Sequence, residues 1–369
     1  MRKVGVSDLK PGMKLSRTIY NSRGEELLKN GVALTDAYIQ LLIKLELPFV
    51  WVDDGLPFKM PEANDVIKRQ TRVAAVRQIK NVLLEAKESG RLVIEPQSLY
   101  TTVGEFTEQL LSNKNLIFNL VDLRSQDDYT FAHSVNVCIL TLMTGITLGY
   151  GHNELAFLGV GALLHDLGKV KIPDKILNKP GGLTAEEFEV MKKHTVFGYE
   201  LIREAGNLDE INAVMALQHH ENYDGSGYPK GLKDEQINEY AQIVAIADRF
   251  DAITANRVYR KAFPPVEAYE MCEASVNYFV KESVAKAFMY NIAAYPAGTI
   301  VELNNGMAGV AADTPKGNSL FPMVHVYFDE KKRLLPKQIE LPLYKEKGLF
   351  IVRVLHGEEA SRWKGFSPS

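Results

Sequence analysis

The ten-residue run Leu155–Leu164 carries no charge and leads directly into His165 and Asp166. Such a run reads as a buried helix. An imidazole and a carboxylate buried at its end cost several kcal/mol unless each is paired or ligated. Downstream stand His194, the doublet His219-His220 and Asp248, and upstream stands His133. Imidazole nitrogens and carboxylate oxygens are the ligands that hold divalent first-row metals. Of the eight histidines, only His152, His325 and His356 fall outside this set, and those three read as ordinary core or surface residues. The fold must therefore gather side chains from separate segments between positions 133 and 248 around a metal.

The local pattern at each position agrees with burial. A helix through Ala241–Asp248 places Asp248 on a stripe of small residues, Ala241, Val244, Ala245, Ala252 and Ala255, that packs close to neighbouring backbone. A carboxylate on that face needs a cation, and Asp251, three residues on, is the alternative donor. His194 is expected on one helix from Thr184 to Ala205, opened by a capping box of Thr184 and Glu187. The segment Asp224-Gly-Ser-Gly-Tyr-Pro-Lys-Gly231 is dense in the residues that make tight turns.

The residues next to the ligands identify a family. His165-Asp166-Leu-Gly-Lys169, Ile172-Pro-Asp174, Lys179-Pro-Gly181 and His219-His220-Glu-Asn-Tyr-Asp224-Gly-Ser-Gly227-Tyr228-Pro229-Lys-Gly231-Leu232 resemble the HD-GYP group of the HD metallohydrolase superfamily, over roughly residues 96 to 296. A bare His-Asp pair is uninformative; a Gly-Tyr-Pro loop in register behind a double histidine is specific. The resemblance implies a phosphodiesterase that hydrolyses cyclic di-GMP to pGpG, with further cutting to GMP as an extension. It implies two divalent ions, iron or manganese, and attack by a hydroxide that bridges them. His133, His165, Asp166 and Asp248 would hold one ion and Asp166, His194, His219 and His220 the other, so that Asp166 bridges. Members with three metals carry a glutamate four residues before the first histidine ligand; Tyr129 stands there in this chain, which implies two.

Charge that builds on phosphate oxygens must be met by cations already in place. Lys169, on the turn after the doublet, is the first candidate for catalysis and substrate binding, with Arg257 and Arg260, one helical turn apart, for a second phosphate. Tyr228 either stacks on a guanine or contacts a phosphate, or pins its loop to the core. Asp224 is expected to orient a ligand histidine through its second nitrogen. The alternatives are a hydrolase of another cyclic dinucleotide such as cyclic GMP-AMP, a broader nucleotide phosphohydrolase, and a sensor that binds cyclic di-GMP without turnover. The sensor predicts lost ligands, and none is missing from the sequence.

The fold class expected is α+β: an all-α HD-type catalytic domain at 96–296, preceded by a small ββαβ module at 1–60 and a helical linker at 61–95, and followed by a β-domain at 297–369. The module's first strands flank Asn21–Gly24. In the β-domain, strands are read at Thr299–Leu303, Val324–Tyr327, Gln338–Leu341 and Leu349–Val354, with Asn304-Asn-Gly306 as a turn. The linker's heptad registers run into Arg69, Arg72 and Lys80, so it is not read as a coiled coil, although a helical linker suits a homodimer. A net charge of −3 gives no basic field for a nucleic-acid polymer. Cys138 and Cys272 read as buried thiols of a reducing compartment. With no apolar leader at Met1-Arg-Lys-Val, and no run expected to reach the ~18–20 uncharged residues of a membrane helix, the reading is a soluble cytoplasmic protein.

Overall fold

A computed structural model of the chain describes residues 2–20, 26–45, 47, 49–53, 66–113, 117–118, 129–255 and 262–355. Two units are distinguished: Met1–Asp65 with Asn115–Asp127 and Ile292–Ser369, and Val66–Lys114 with Asp128–Asn291. The first begins with β1 (Arg2–Gly5), β2 (Lys14–Leu15), β3 (Ile19–Tyr20), β4 (Glu26–Leu28), α1 (Asp36–Lys44) and β5 (Phe49–Asp53). β5 is the central strand of the antiparallel order β1-β5-β2, and β3 pairs with β4. Thr35 caps α1 by accepting the Tyr38 N–H. Ile39 and Leu42 on that helix join Val4, Leu15, Val50 and Val52 in one core. The expected ββαβ order is present as β3, β4, α1 and β5, with β1 and β2 added ahead of it; the turn at Asn21–Gly24 lies outside the described residues.

The second unit is helical: α2 (Arg69–Ser89), α3 (Pro96–Ser112), α4 (Tyr129–Leu148), α5 (His152–Leu164), a 3-10 turn at Leu167–Lys171, α6 (Asp174–Leu177), α7 (Ala185–Lys192), α8 (His194–Ala205), α9 (Glu210–Gln218), α10 (Glu239–Thr254), α11 (Pro265–Ala274) and α12 (Glu282–Met289). α4 packs against α5, α10, α12 and α2, while α9 packs between α8 and α5. Side chains set several boundaries: Asp209 caps α9 on the Ile211 N–H and Asn238 caps α10 on the Tyr240 N–H.

Four expectations change here. The stretch read as a linker is largely α2, whose Arg72, Ala75, Ile79, Val82, Leu83 and Ala86 are buried within the helical unit. It is not a free spacer, and the homodimer loses that support. The single helix expected at Thr184–Ala205 is two, α7 and α8, meeting at Lys193; its capping box is present, with Thr184 Oγ1 accepting the Glu187 N–H and Glu187 accepting the Thr184 N–H. The helix expected from Pro265 to Tyr278 stops at Ala274. Finally, Phe131–Leu148 is 18 residues long and apolar enough to cross a membrane, contrary to the expectation of no such run, but 78% of it is buried inside the protein. Its interior position accounts for the apolar composition.

The first unit resumes with β6 (Ile300–Leu303), β7 (Ala308–Asp313), β8 (Met323–Phe328), β9 (Leu334–Pro342) and β10 (Ile351–Val354), an antiparallel sheet in the order β10-β6-β7-β8-β9. β7 is not among the strands expected from the sequence. Its Ala-Gly-Val-Ala-Ala is buried at every position, so no polar residue alternates with the apolar ones.

The helical unit depends on a close backbone crossing. A Cβ on Gly168 would lie 1.9 Å from the carbonyl oxygen of His194 and 2.4 Å from the nitrogen of Gly198. Only a hydrogen fits. We therefore expect Gly168→Ala to lower stability by at least the ~1–3 kcal/mol of overpacking, because the obstacle is backbone that cannot rotate away. Gly182, where a Cβ would meet nothing within 4 Å, should accept alanine without loss. Equal melting temperatures for the two variants would refute the steric reading.

Candidate metal centre

Five elements deliver the side chains. His133 projects from α4, His165 and Asp166 follow the last residue of α5, and His194 is the first residue of α8. His219 and His220 follow α9, and Asp248 lies in α10. Their donor atoms form three overlapping groups, each within 4.8 Å: Asp166 with His194, His219 and His220; His133 with His165 and Asp166; and His165 with His219 and Asp248. The two oxygens of Asp166 divide between the sides. Oδ2 lies 3.4 Å from His165 Nε2 and 3.8 Å from His133 Nε2, whereas Oδ1 lies 3.5 Å from His194 Nε2 and 3.8 Å from His219 Nε2. Asp248 Oδ1 is 3.0 Å from His133 Nε2. The third group crosses the division that the family resemblance implies, since it places His219 with Asp248.

Backbone carbonyls set the direction of three rings. His165 Nδ1 is 2.7 Å from the Ala162 carbonyl, His194 Nδ1 is 2.7 Å from that of Met191, and His219 Nδ1 is 2.9 Å from that of Ala216. Each carbonyl is three residues back. A carbonyl only accepts, so each Nδ1 carries the hydrogen and each neutral ring turns its Nε2 lone pair inward. His133 is held differently: its Nδ1 lies 2.7 Å from Asp251 Oδ2, and Asp251 is completely buried.

These surroundings separate the charge states. Burial lowers the pKa of His194 to about 4 and that of His220 to about 3, and holds His219 well below the usual imidazole range. For His133, burial acts downward but the hydrogen bonds to Asp248 and Asp251 prevail and raise it to about 10. Burial would raise Asp166, yet Lys169 and His165 hold it well below the usual carboxylate range; Asp248 is held low by His133 against the same burial.

A divalent cation fits this arrangement. His165 Nε2 and Asp166 Oδ1 are buried and have no hydrogen-bond partner among the described residues, which is costly unless a ligand completes them. His194 Nε2 and His219 Nε2 stand 3.4 Å apart with their hydrogens committed to carbonyls on the far side. Two facing lone pairs call for a positive centre between them. Neutral imidazoles with carboxylates make a donor set suited to first-row divalent ions.

Around this centre lie the other expected residues. Lys169 Nζ is 2.5 Å from Asp166 Oδ2. Tyr228 stacks on His220, with ring centroids 4.8 Å apart, and meets Phe188 edge-on at 6.1 Å. Asp224 does not orient a ligand histidine: its Oδ1 accepts hydrogen bonds from the Ser226 N–H and hydroxyl, so it shapes its own turn. Arg257 and Arg260 lie outside the described residues.

Two contributions go beyond the sequence-based expectations. Glu221, buried behind the double histidine, accepts the Lys230 and Leu232 N–H groups at 2.7 and 2.9 Å. It ties down the segment that follows Tyr228-Pro229 in the Gly-Tyr-Pro loop. Asp251, expected only as a substitute ligand, instead binds the far nitrogen of His133. Its three-residue spacing from Asp248 is the available signal.

Comparison with known proteins assigns two domains along the chain. Residues 108–279 match the HD domain family, and residues 300–362 match a KOW domain associated with HD domains. A cyclic di-GMP phosphodiesterase of Pseudomonas aeruginosa is 30% identical over 366 residues, covering 92% of this chain and 88% of that protein. A cyclic di-GMP phosphodiesterase of Thermotoga maritima is 35% identical over 52% of this chain and 51% of its own. A 3'3'-cGAMP-specific phosphodiesterase of Vibrio cholerae is 39% identical over 46% of this chain and 32% of its own.

Asp166→Ala should strip the donor shared by two of the three groups. Elemental analysis is expected to show metal content near zero, while circular dichroism keeps the helical signal; full metal content would remove Asp166 from the ligand set. A second expectation concerns the metal-free protein. An unfolded imidazole titrates near ~6.5, while His194 and His220 in the fold titrate at about 4 and about 3. As pH falls below ~6.5 the unfolded chain takes up protons that the folded chain refuses, so stability declines toward pH 4. His133, shifted the other way, acts only above that window. Melting temperatures that stay level from pH 7 to 5 would contradict the neutral state of these rings.

Proposed function

This chain belongs to the HD-GYP family of HD metallohydrolases, and from that premise we propose that it is a metal-dependent phosphodiesterase that opens cyclic di-GMP to pGpG. The observation that carries the reading is the buried carboxylate of Asp166, whose two oxygens each face a separate pair of imidazoles. His133, His165, Asp166 and Asp248 would hold one ion, and Asp166, His194, His219 and His220 the other, iron or manganese by donor type and family. Divalent ions in such a pair lower the pKa of water and stabilise the attacking and leaving oxygens of an in-line displacement.

The protein's own groups then have defined tasks. The carbonyl tethers on His165, His194 and His219 keep three lone pairs aimed inward, so little reorganisation is needed at the reacting phosphate. Lys169 is partly exposed and directly beside Asp166, a position from which its ammonium meets charge on a non-bridging phosphate oxygen. Tyr228, stacked on His220 and braced by Phe188, forms the wall of the loop beside the metal ligands and contacts the substrate from there. Arg257 and Arg260 are proposed for the second phosphate on sequence grounds alone. The complete donor set favours turnover over a binding-only sensor, and the absence of a carboxylate at position 129 supports two metals over three. A cytoplasmic location follows from a nucleotide substrate of the cell interior.

Similarity to a cGAMP-specific enzyme keeps a mixed dinucleotide as the second reading. Protein loaded anaerobically with ferrous iron or manganese should convert cyclic di-GMP to pGpG in chromatographic product analysis. Turnover of cyclic GMP-AMP alone would replace the substrate, and no turnover of either with metals bound would leave the sensor. Lys169→Ala should keep its metals and lose ~10²–10³-fold in rate, the usual cost of one preorganised charge-stabilising group. A wild-type rate in that variant would confine Lys169 to a structural contact with Asp166.

A further inference from the structure

Arg72 is 2% exposed on α2, ahead of the HD-domain match that begins at residue 108. Its Nη1 donates to Asn136 Oδ1 at 2.9 Å. Asn136 sits on α4 three residues beyond His133, and its Nδ2 donates to Asp251 Oδ1 at 3.1 Å. The other oxygen of Asp251 is the one 2.7 Å from His133 Nδ1. Three helices, α2, α4 and α10, therefore contribute to one buried chain of hydrogen bonds that ends on a histidine of the metal centre.

The chain permits one polarity. A guanidinium only donates, so the Asn136 amide must turn its oxygen to Arg72 and its NH2 to Asp251. A carboxylate only accepts, so Asp251 draws hydrogens from Asn136 on one side and from His133 Nδ1 on the other. With that hydrogen on Nδ1, the His133 Nε2 is directed toward Asp248 and Asp166. Reversing the amide would put its oxygen against the carboxylate in a buried site of low dielectric, where the repulsion is strong. Arg72 is the donor-only end that prevents the reversal.

We propose that Arg72 is a positioning residue for the metal centre, acting through Asn136 and Asp251 to hold His133 in the tautomer and orientation that bind one of the two ions. The inference rests on the reading of His133 as a ligand. It makes α2 part of the catalytic machinery and not a spacer, and it predicts that a catalytic fragment beginning at residue 108 would lack a functional element.

The test is titration of the full-length, metal-free chain with Co2+, followed by the absorption bands of the bound ion. Outer hydrogen-bond partners of metal-binding histidines are worth ~10–100-fold in affinity. Arg72→Met, which keeps length and burial, should weaken one class of site by that factor and alter its bands, leaving the class at His194, His219 and His220 unchanged. Arg72→Lys, which retains a buried donor, should recover part of the loss. A residue with a merely structural role would lower the melting temperature without singling out one class, so two unchanged affinities in folded Arg72→Met overturn the proposal. If that variant does not fold, Asn136→Ala interrupts the same chain, and unchanged Co2+ binding there overturns it equally. His133→Ala is the control for the premise. If it leaves both classes intact, His133 is no ligand and the proposal falls with that reading, an outcome distinguishable from normal His133 dependence with no dependence on Arg72.

Discussion

The arrangement depends on a carboxylate that is buried before anything neutralises it. Asp166 follows an apolar helix and is 3% exposed, so the cost of its charge must be met by groups brought to it. Everything at the centre can be understood as meeting that cost. Carbonyl tethers turn three imidazoles toward it, Gly168 lets α8 approach closely enough for His194 to reach it, and Lys169 lies directly against it. A short buried turn after the doublet therefore determines how near α5 and α8 must pass, and the helices pack to suit the polar site as much as the site suits the helices.

How much of this the sequence discloses follows from which interactions are local. The gathering of His133, His165, Asp166, His194, His219, His220 and Asp248 is legible because burial of polar residues beside apolar runs is visible in one dimension, and the Gly-Tyr-Pro loop supplies the family. The capping box at Thr184 is likewise local and is present where expected. What escapes is what depends on distant partners. Asp251 and Glu221 act through atoms that the chain reaches only by folding, and a single acidic residue near a ligand does not reveal which of its neighbours it binds. β7 escapes because a strand buried at every apolar position carries no alternation. α2 is the most telling case. Its heptad register fails at Arg69 and Arg72, which suits a charged linker better than a packed helix. Arg72 is in fact buried, because a hydrogen-bonded guanidinium can occupy a core position that a pattern of apolar spacing scores as an error.

The same buried groups explain how the site can be formed in advance of its metals. Asp166, Asp248 and Asp251 are three carboxylates in one region of low dielectric. Lys169 lies against Asp166, the Arg72 guanidinium reaches Asp251 through Asn136, and His133, raised to about 10, is itself cationic at neutral pH between Asp248 and Asp251. Each buried negative charge thus has a cation joined to it by contact or by one relay, which is the condition under which buried charge is tolerated. Were ions held here, His133 would coordinate through Nε2 only after losing the proton on that nitrogen, and Lys169, now directly against Asp166, would be the cation nearest to a bound phosphate. The fold thus already supplies, at each of these buried carboxylates, positive charge of the kind that bound ions would bring.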